Sequence, residues 1–252
     1  MNFVAVAHSP LVPDRTPARI AYRAVDPPPE TAADAAPLVI LHGGWGYDMY
    51  PFDRQIAAYG TRRRVVIPDR SGYGESPSLS ALPVDFHQRA ADETLAVLDG
   101  LELRRPALWG HSDGAIVALR LALAHPGRIG AVVAEATHFF RRKPASKPFF
   151  ENVIANPAST EIMRAHAIAW LRIGDEATAS EDFYDGRLGA LAVPTLVVHG
   201  ARDPRTEPDE IEALRRGAPA IAVRIFDAGH SPHSEPASAD AVTAAVARFL
   251  DA

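Results

Sequence analysis

The feature that most constrains this chain is an alternation. Short, mostly apolar runs (PLVIL at 37–41, VVIP at 65–68, PALW at 106–109, IGAVVAEA at 129–136, TLVV at 195–198, AVRIF at 222–226) are separated by stretches with helical spacing. In FHQRAADETLAVLDGL, for example, Phe86, Ala90, Thr94, Val97 and Leu101 fall on one face of a helix. AIVALRLALAHP is nearly all apolar and is closed by Pro126. Strands that read as unbroken hydrophobic runs must be covered on both faces, so the alternation predicts a mostly parallel sheet sandwiched between helices. ARIAYRAV, near the N-terminus, alternates instead and reads as an antiparallel strand.

One stretch breaks the rhythm. From Thr137 to about Leu191 there is no strong strand, and structureless loops of that length are uncommon in compact domains. STEIMRAHAIAWLRIGD places Ile162, His166, Ala169, Trp170 and Ile173 at helical spacing, and FYDG marks the exit. The expectation is a helical lid, 137–191, over a core made of 1–136 and 192–252. DPPPETAADAAP, at 26–37, has no hydrophobic face and reads as a surface connection.

Composition narrows the function. With 252 residues, 47% of them hydrophobic, the chain is long enough for one well-buried core. A net charge of -5 supplies no broad basic surface for phosphates, so nucleic acid is not expected as a partner. The absence of cysteine excludes disulfides, thiolate catalysis and thiolate metal sites. No run approaches the roughly 20 apolar residues that span a bilayer, and the start lacks a basic leader, so a cytoplasmic protein without a membrane partner is expected.

The unusual residues gather where the runs end, which in doubly wound sheets is where ligands bind. The ends are HGGWG (42–46), DRSGYGES (69–76), GHSDG (110–114), HGARDP (199–204) and DAGHSPH (227–233). In this order and spacing they resemble the α/β-hydrolase family, in its serine-nucleophile esterase and haloperoxidase-like branch, from about Ala18 to Leu250. The resemblance implies a doubly wound, mostly parallel sheet with a helical cap inserted after the family's sixth strand. It also implies a catalytic triad of Ser112, Asp203 and His230, the serine standing on a sharp strand-to-helix turn. Gly110 and Gly114 would make room for that turn. The oxyanion hole would use the backbone N–H of Asp113 with that of Gly44, or of Trp45 as the near alternative.

Other readings of these residues exist. Glu135, at the end of IGAVVAEA, is a rival acid, and His233 is a rival base, though Gly229 directly before His230 matches the family better. His42 reads as a hydrogen-bonding residue of its loop. DRSGYGES has Pro77 in the place of a third glycine, which fails as a dinucleotide site and leaves a rim-shaping loop. The basic run Arg141 to Lys143, with Lys147, reads as a solvated face. Among the lid aromatics Phe139, Phe140, Phe149, Phe150, Trp170, Phe183 and Tyr184, two or three are expected to line the pocket; Phe139 and Trp170, with Trp45, are the substrate-binding candidates.

The expected activity is cofactor-independent and metal-free hydrolysis of a small ester or related acyl compound through an acyl-enzyme on Ser112. A serine in place of aspartate disfavours epoxide opening and dehalogenation within the family. Carbon–carbon bond hydrolysis and perhydrolysis with the same triad stay open, as does a triad-retaining small-molecule receptor. The substrate is a small molecule, and a homo-oligomer is left open.

Overall fold

The computed structural model describes residues 1–31, 35–178 and 181–252; residues 32–34, inside the proline- and alanine-rich connection, and residues 179–180 lie outside them. The eight strands found among the described residues form one sheet. In chain order they are β1 (Asn2–Val6), β2 (Ala18–Val25), β3 (Leu38–Leu41), β4 (Val65–Pro68), β5 (Ala107–His111), β6 (Ala131–Glu135), β7 (Thr195–Gly200) and β8 (Ala222–Phe226). Across the sheet the order is β1-β2-β4-β3-β5-β6-β7-β8. β1 and β2 pair antiparallel, and so do β2 and β4, whereas every pairing from β4 to β8 is parallel.

The helices are α1 (Asp53–Tyr59), α2 (Phe86–Gly100), α3 (Asp113–Ala124), α4 (Lys147–Ala155), α5 (Glu161–Glu176), α6 (Glu210–Gly217) and α7 (Ala239–Leu250). Two-sided burial follows from the period of the strands. Leu38 and Ile40 of β3 join the cluster that holds Phe52, Tyr59, Val242 and Val246, while Val39 and Leu41 join the cluster of α2 and α3. All four strand positions are buried, which is why the run carries no polar residue.

Two elements were not anticipated from the sequence. β1 is a short edge strand whose register on β2 runs from Asn2 opposite Tyr22 to Val6 opposite Ala18. α4 begins with a proline in its first turn and packs against α5. Both α4 and α5 stand between β6 and β7. Thr160 caps α5 by accepting from the Met163 N–H at 3.3 Å. Trp170 and Ile173 of α5, with Phe150, Phe183 and Tyr184, bury their side chains in the same cluster as α2 and α3.

Parallel register brings the strand ends to one rim. Leu41 lies opposite Gly110, His111 opposite Glu135, and Gly200 opposite Phe226. The loops leaving β3, β5, β6, β7 and β8 therefore start side by side.

Candidate functional site

Ser112 is the hinge between β5 and α3, with φ 55° and ψ -117°. That conformation is essentially a glycine region, and holding a serine in it costs on the order of 1–3 kcal/mol. Close packing enforces it. A Cβ on Gly110 would run into the backbone of Gly114, and one on Gly114 into the carbonyl of Leu41, so neither position admits a side chain. Ser112 N–H donates to the Glu135 carbonyl at 2.8 Å, which ties the bend to β6.

Asp203 and His230 come from neighbouring turns. Ala201 N–H donates to the Phe226 carbonyl at 2.7 Å and Arg202 N–H to the Ala228 carbonyl at 2.8 Å, so the turn after β7 is laced to the turn after β8. His230 Nδ1 donates to Asp203 Oδ2 at 2.8 Å, and the other carboxylate oxygen accepts from the Arg205 N–H at 2.9 Å. Burial alone would raise the Asp203 pKa; the His230 hydrogen bond and charge, with the Arg205 N–H, outweigh it and hold the carboxyl below its usual range. Burial pushes the His230 pKa down despite the opposing pull of Asp203. Burial thus favours the neutral imidazole. Its Nε2 is buried and has no hydrogen-bond partner among the described residues.

The rival acid and rival base are engaged with each other. Glu135 Oε1 accepts from both the backbone N–H and Nδ1 of His233 at 2.8 Å, and Glu135 Oε2 accepts from Trp109 Nε1 at 2.9 Å. His233 Nε2 contacts the Tyr50 carbonyl at 3.2 Å. Both ring nitrogens of His233 are thus used, whereas His230 keeps one free.

The N–H groups of Gly44, Trp45 and Asp113 have no acceptor among the described residues. Gly44 is also required sterically: a Cβ there would collide with His166 Nε2 and Asp113 Oδ2. Tyr73, from the DRSGYGES loop, braces this backbone by donating its hydroxyl to the Gly44 carbonyl at 2.8 Å. His42 is internal to the loop, with Nδ1 at 2.8 Å from the Gly43 carbonyl and Nε2 accepting from Arg70 N–H at 3.2 Å. Burial, with Arg70 nearby, lowers its pKa to about 3.

A narrow pocket opens beside Ser112, lined by Gly44, Trp45, Asp113, His138, His166 and Trp170 together with Phe150 and Arg205. It has about 10 Å³ of room for the centre of a water-sized body, roughly one water molecule. Trp45 and Trp170 are in its lining. Phe139 does not. Its ring packs on Phe140 and Tyr184 and beside Gly217, because the chain is locally extended there, so Phe139 faces away and its neighbour His138 faces in.

Sequence reasoning missed the most connected group of the site. The Asp113 side chain accepts from His87 Nε2 at 2.6 Å and Trp170 Nε1 at 3.1 Å on Oδ1, and from His166 Nε2 at 3.0 Å on Oδ2. Burial would raise the Asp113 pKa, but His166 and His87 together hold it well below the carboxylate range. His138 is a second omission. Its ring lies 5.9 Å from that of His230 and nearly parallel to it, at 17°. The basic run also behaves differently from the expected solvated face: Lys143 is buried against Glu210, and Arg141 pairs with Asp185. Nothing among the described residues brings three or more histidine or acidic side chains together as metal ligands, and no described helix is long and apolar enough to cross a membrane.

The sequence model of the alpha/beta hydrolase family matches residues 38–245, which contain every strand end described above. The chain belongs to the alpha/beta hydrolase family. Mouse (Mus musculus) serine hydrolase BPHL is 26% identical over 184 residues, covering 66% of this chain and 63% of that protein, so the match spans less than two thirds of its length. The 3-oxoadipate enol-lactonase 1 of Acinetobacter baylyi is 22% identical over 226 residues, 79% of this chain and 84% of the relative. Among solved structures, a thermophilic esterase from Thermogutta terrifontis superposes with a TM-score of 0.73 at 22% identity, over 100% of this chain and 98% of its own. By name these neighbours are a serine hydrolase, an enol-lactonase and an esterase, and this protein shares the alpha/beta hydrolase fold.

Proposed function

We propose that the protein is a serine hydrolase of short-chain esters or related small acyl compounds, with Ser112 as nucleophile, His230 as general base and acid, and Asp203 as the group that orients the imidazole. Its main support is the Asp203–His230 contact at 2.8 Å, which leaves a neutral Nε2 unpartnered on the rim that carries the strained serine. Among the described residues no hydrogen bond joins Ser112 to that nitrogen, and catalytic contacts of this kind commonly tighten only when substrate is bound.

In the proposed reaction, His230 Nε2 takes the Ser112 hydroxyl proton as Oγ bonds to the substrate carbonyl carbon. The oxyanion is held by the N–H of Asp113 and that of Gly44 or Trp45, groups that need no reorganisation because the protein offers them no other acceptor. Collapse breaks the bond to the leaving alcohol, which receives the proton from His230. Water then repeats the sequence, releasing the acid and restoring Ser112. Asp203 stays ionised throughout and stabilises the imidazolium.

The segment 137–191 serves in this proposal as a cap over a core of 1–136 and 192–252. The tightness of the pocket favours short acyl groups and requires cap side chains to shift when a substrate enters. The test is a series of p-nitrophenyl esters of graded chain length together with a fluorophosphonate probe. Wild type should be labelled and should prefer the shortest esters. A Ser112→Ala variant that is still labelled, or that retains turnover, would overturn the proposal.

A further inference from the structure

The wall of the pocket beside Ser112 is short of acceptors. Arg205 lines it, yet no carboxylate among the described residues pairs with this guanidinium. Its one side-chain hydrogen bond runs from Nη2 to the Tyr50 hydroxyl at 3.3 Å, and its plane lies over the rings of Phe149, at 4.4 Å, and Trp45, at 5.9 Å.

The neighbouring acids are all occupied elsewhere. Asp203 is taken by His230 and by the backbone of Arg205 itself, and Asp113 by His87, His166 and Trp170. Glu207 accepts from the N–H groups of Ala145 and Ser146, Glu210 binds Lys143, and Glu135 binds His233. His138, buried on the same wall, has its Nδ1 buried without a hydrogen-bond partner among the described residues, and in the Nδ1–H tautomer this nitrogen is a second donor. The positive charge is felt across the site, since Arg205 is among the groups that lower the pKa of His230 and His138.

A cation held against aromatic faces and left without a counter-ion is a preformed seat for an anion, and a planar guanidinium matches a carboxylate in shape as well as charge. We infer that the pocket selects substrates bearing a carboxylate on the acyl portion, bound by Arg205 with the His138 N–H as neighbouring donor. This deepens the serine-hydrolase proposal and rests on it for turnover, although binding of the anion does not depend on it.

The experiment compares p-nitrophenyl butyrate with the mono-p-nitrophenyl ester of glutaric acid, which adds a carboxylate, on wild type, Arg205→Gln and Arg205→Lys, and measures glutarate binding to each by calorimetry. Wild type should favour the anionic ester in kcat/KM. That preference should fall about 10- to 100-fold in Arg205→Gln, the range expected for one charged hydrogen bond, and return in part in Arg205→Lys. Glutarate should bind wild type and not Arg205→Gln. An unchanged ester preference in folded Arg205→Gln, or no glutarate binding to wild type, would overturn the inference. If neither ester is hydrolysed while glutarate binds through Arg205, the catalytic proposal fails and the anion site stands.

Discussion

Glu135 and His233 form a buried carboxylate–imidazole pair at 2.8 Å, next to an Asp203–His230 pair of the same length and chemistry. What separates them is the far nitrogen, occupied by the Tyr50 carbonyl in His233 and unoccupied in His230. Asp203→Asn should therefore lower kcat by about 10⁴-fold with the fold retained, as expected when an imidazole loses the acid that fixes its tautomer. Glu135→Gln should instead act on stability, by about 1–3 kcal/mol, because it leaves buried donors of His233 and Trp109 imperfectly met. Kinetics and urea melts of both variants check this; the reverse pattern would make Glu135 the catalytic acid.

The strain at Ser112 gives a second, purely thermodynamic expectation. Both Ser112→Ala and Ser112→Gly should lose turnover by roughly 10⁴- to 10⁶-fold. Only glycine accepts φ 55° with ψ -117° freely, so Ser112→Gly should be the more stable of the two by about 1 kcal/mol or more. Equal melting temperatures would mean the bend is not strained.

Gly44→Ala should damage catalysis without touching any triad residue. Its methyl group would enter the contact between His166 and Asp113 and push aside the backbone that offers the Gly44 N–H. A loss of about 10²- to 10³-fold in kcat, the scale for one oxyanion donor, is expected, with a smaller change in KM. Wild-type kinetics from this variant would remove Gly44 from the site.

Acid should weaken the protein twice. The proposed mechanism needs neutral His230, and burial pushes the pKa of this imidazole below its ordinary value of 6.5, so kcat/KM should fall only as pH drops beneath that value. A descending limb centred above pH 6.5 would contradict this. For stability, burial lowers His42 to about 3 and His87 and His199 to about 4, below their ordinary value in the unfolded chain. The unfolded state then binds more protons between pH 6.5 and 4, so the stability present above pH 6.5 is lost on acidification, by about 1.4 kcal/mol per pH unit for each such histidine. Urea midpoints at pH 7 and pH 5 measure the slope.

The sheet was legible because most of the parallel strands are built on short apolar runs, a pattern that two-sided burial produces. β1 escaped notice because an edge strand of five residues with one buried face carries little signal, and α4 because KPFFENVIA reads as an aromatic cluster behind a proline. The contact of Asp203 with His230 could be anticipated from the family resemblance, which both strand-end motifs carry. The roles of His87, His138, His166 and Arg205 could not. His138, His166 and Arg205 line the pocket from an inserted helix and two loops, His87 reaches Asp113 from a core helix, and only tertiary packing brings those together. The one available signal was His166 on the apolar face of a helix, a polar group that had to find a partner once buried.

The grip of α5 on Asp113 has a further consequence. His166 and Trp170 of this helix both bond the Asp113 carboxylate, and Asp113 directly follows Ser112, the proposed nucleophile. In the proposed mechanism the Asp113 N–H is an oxyanion donor, so the position of α5 and the geometry beside Ser112 are linked through one carboxylate.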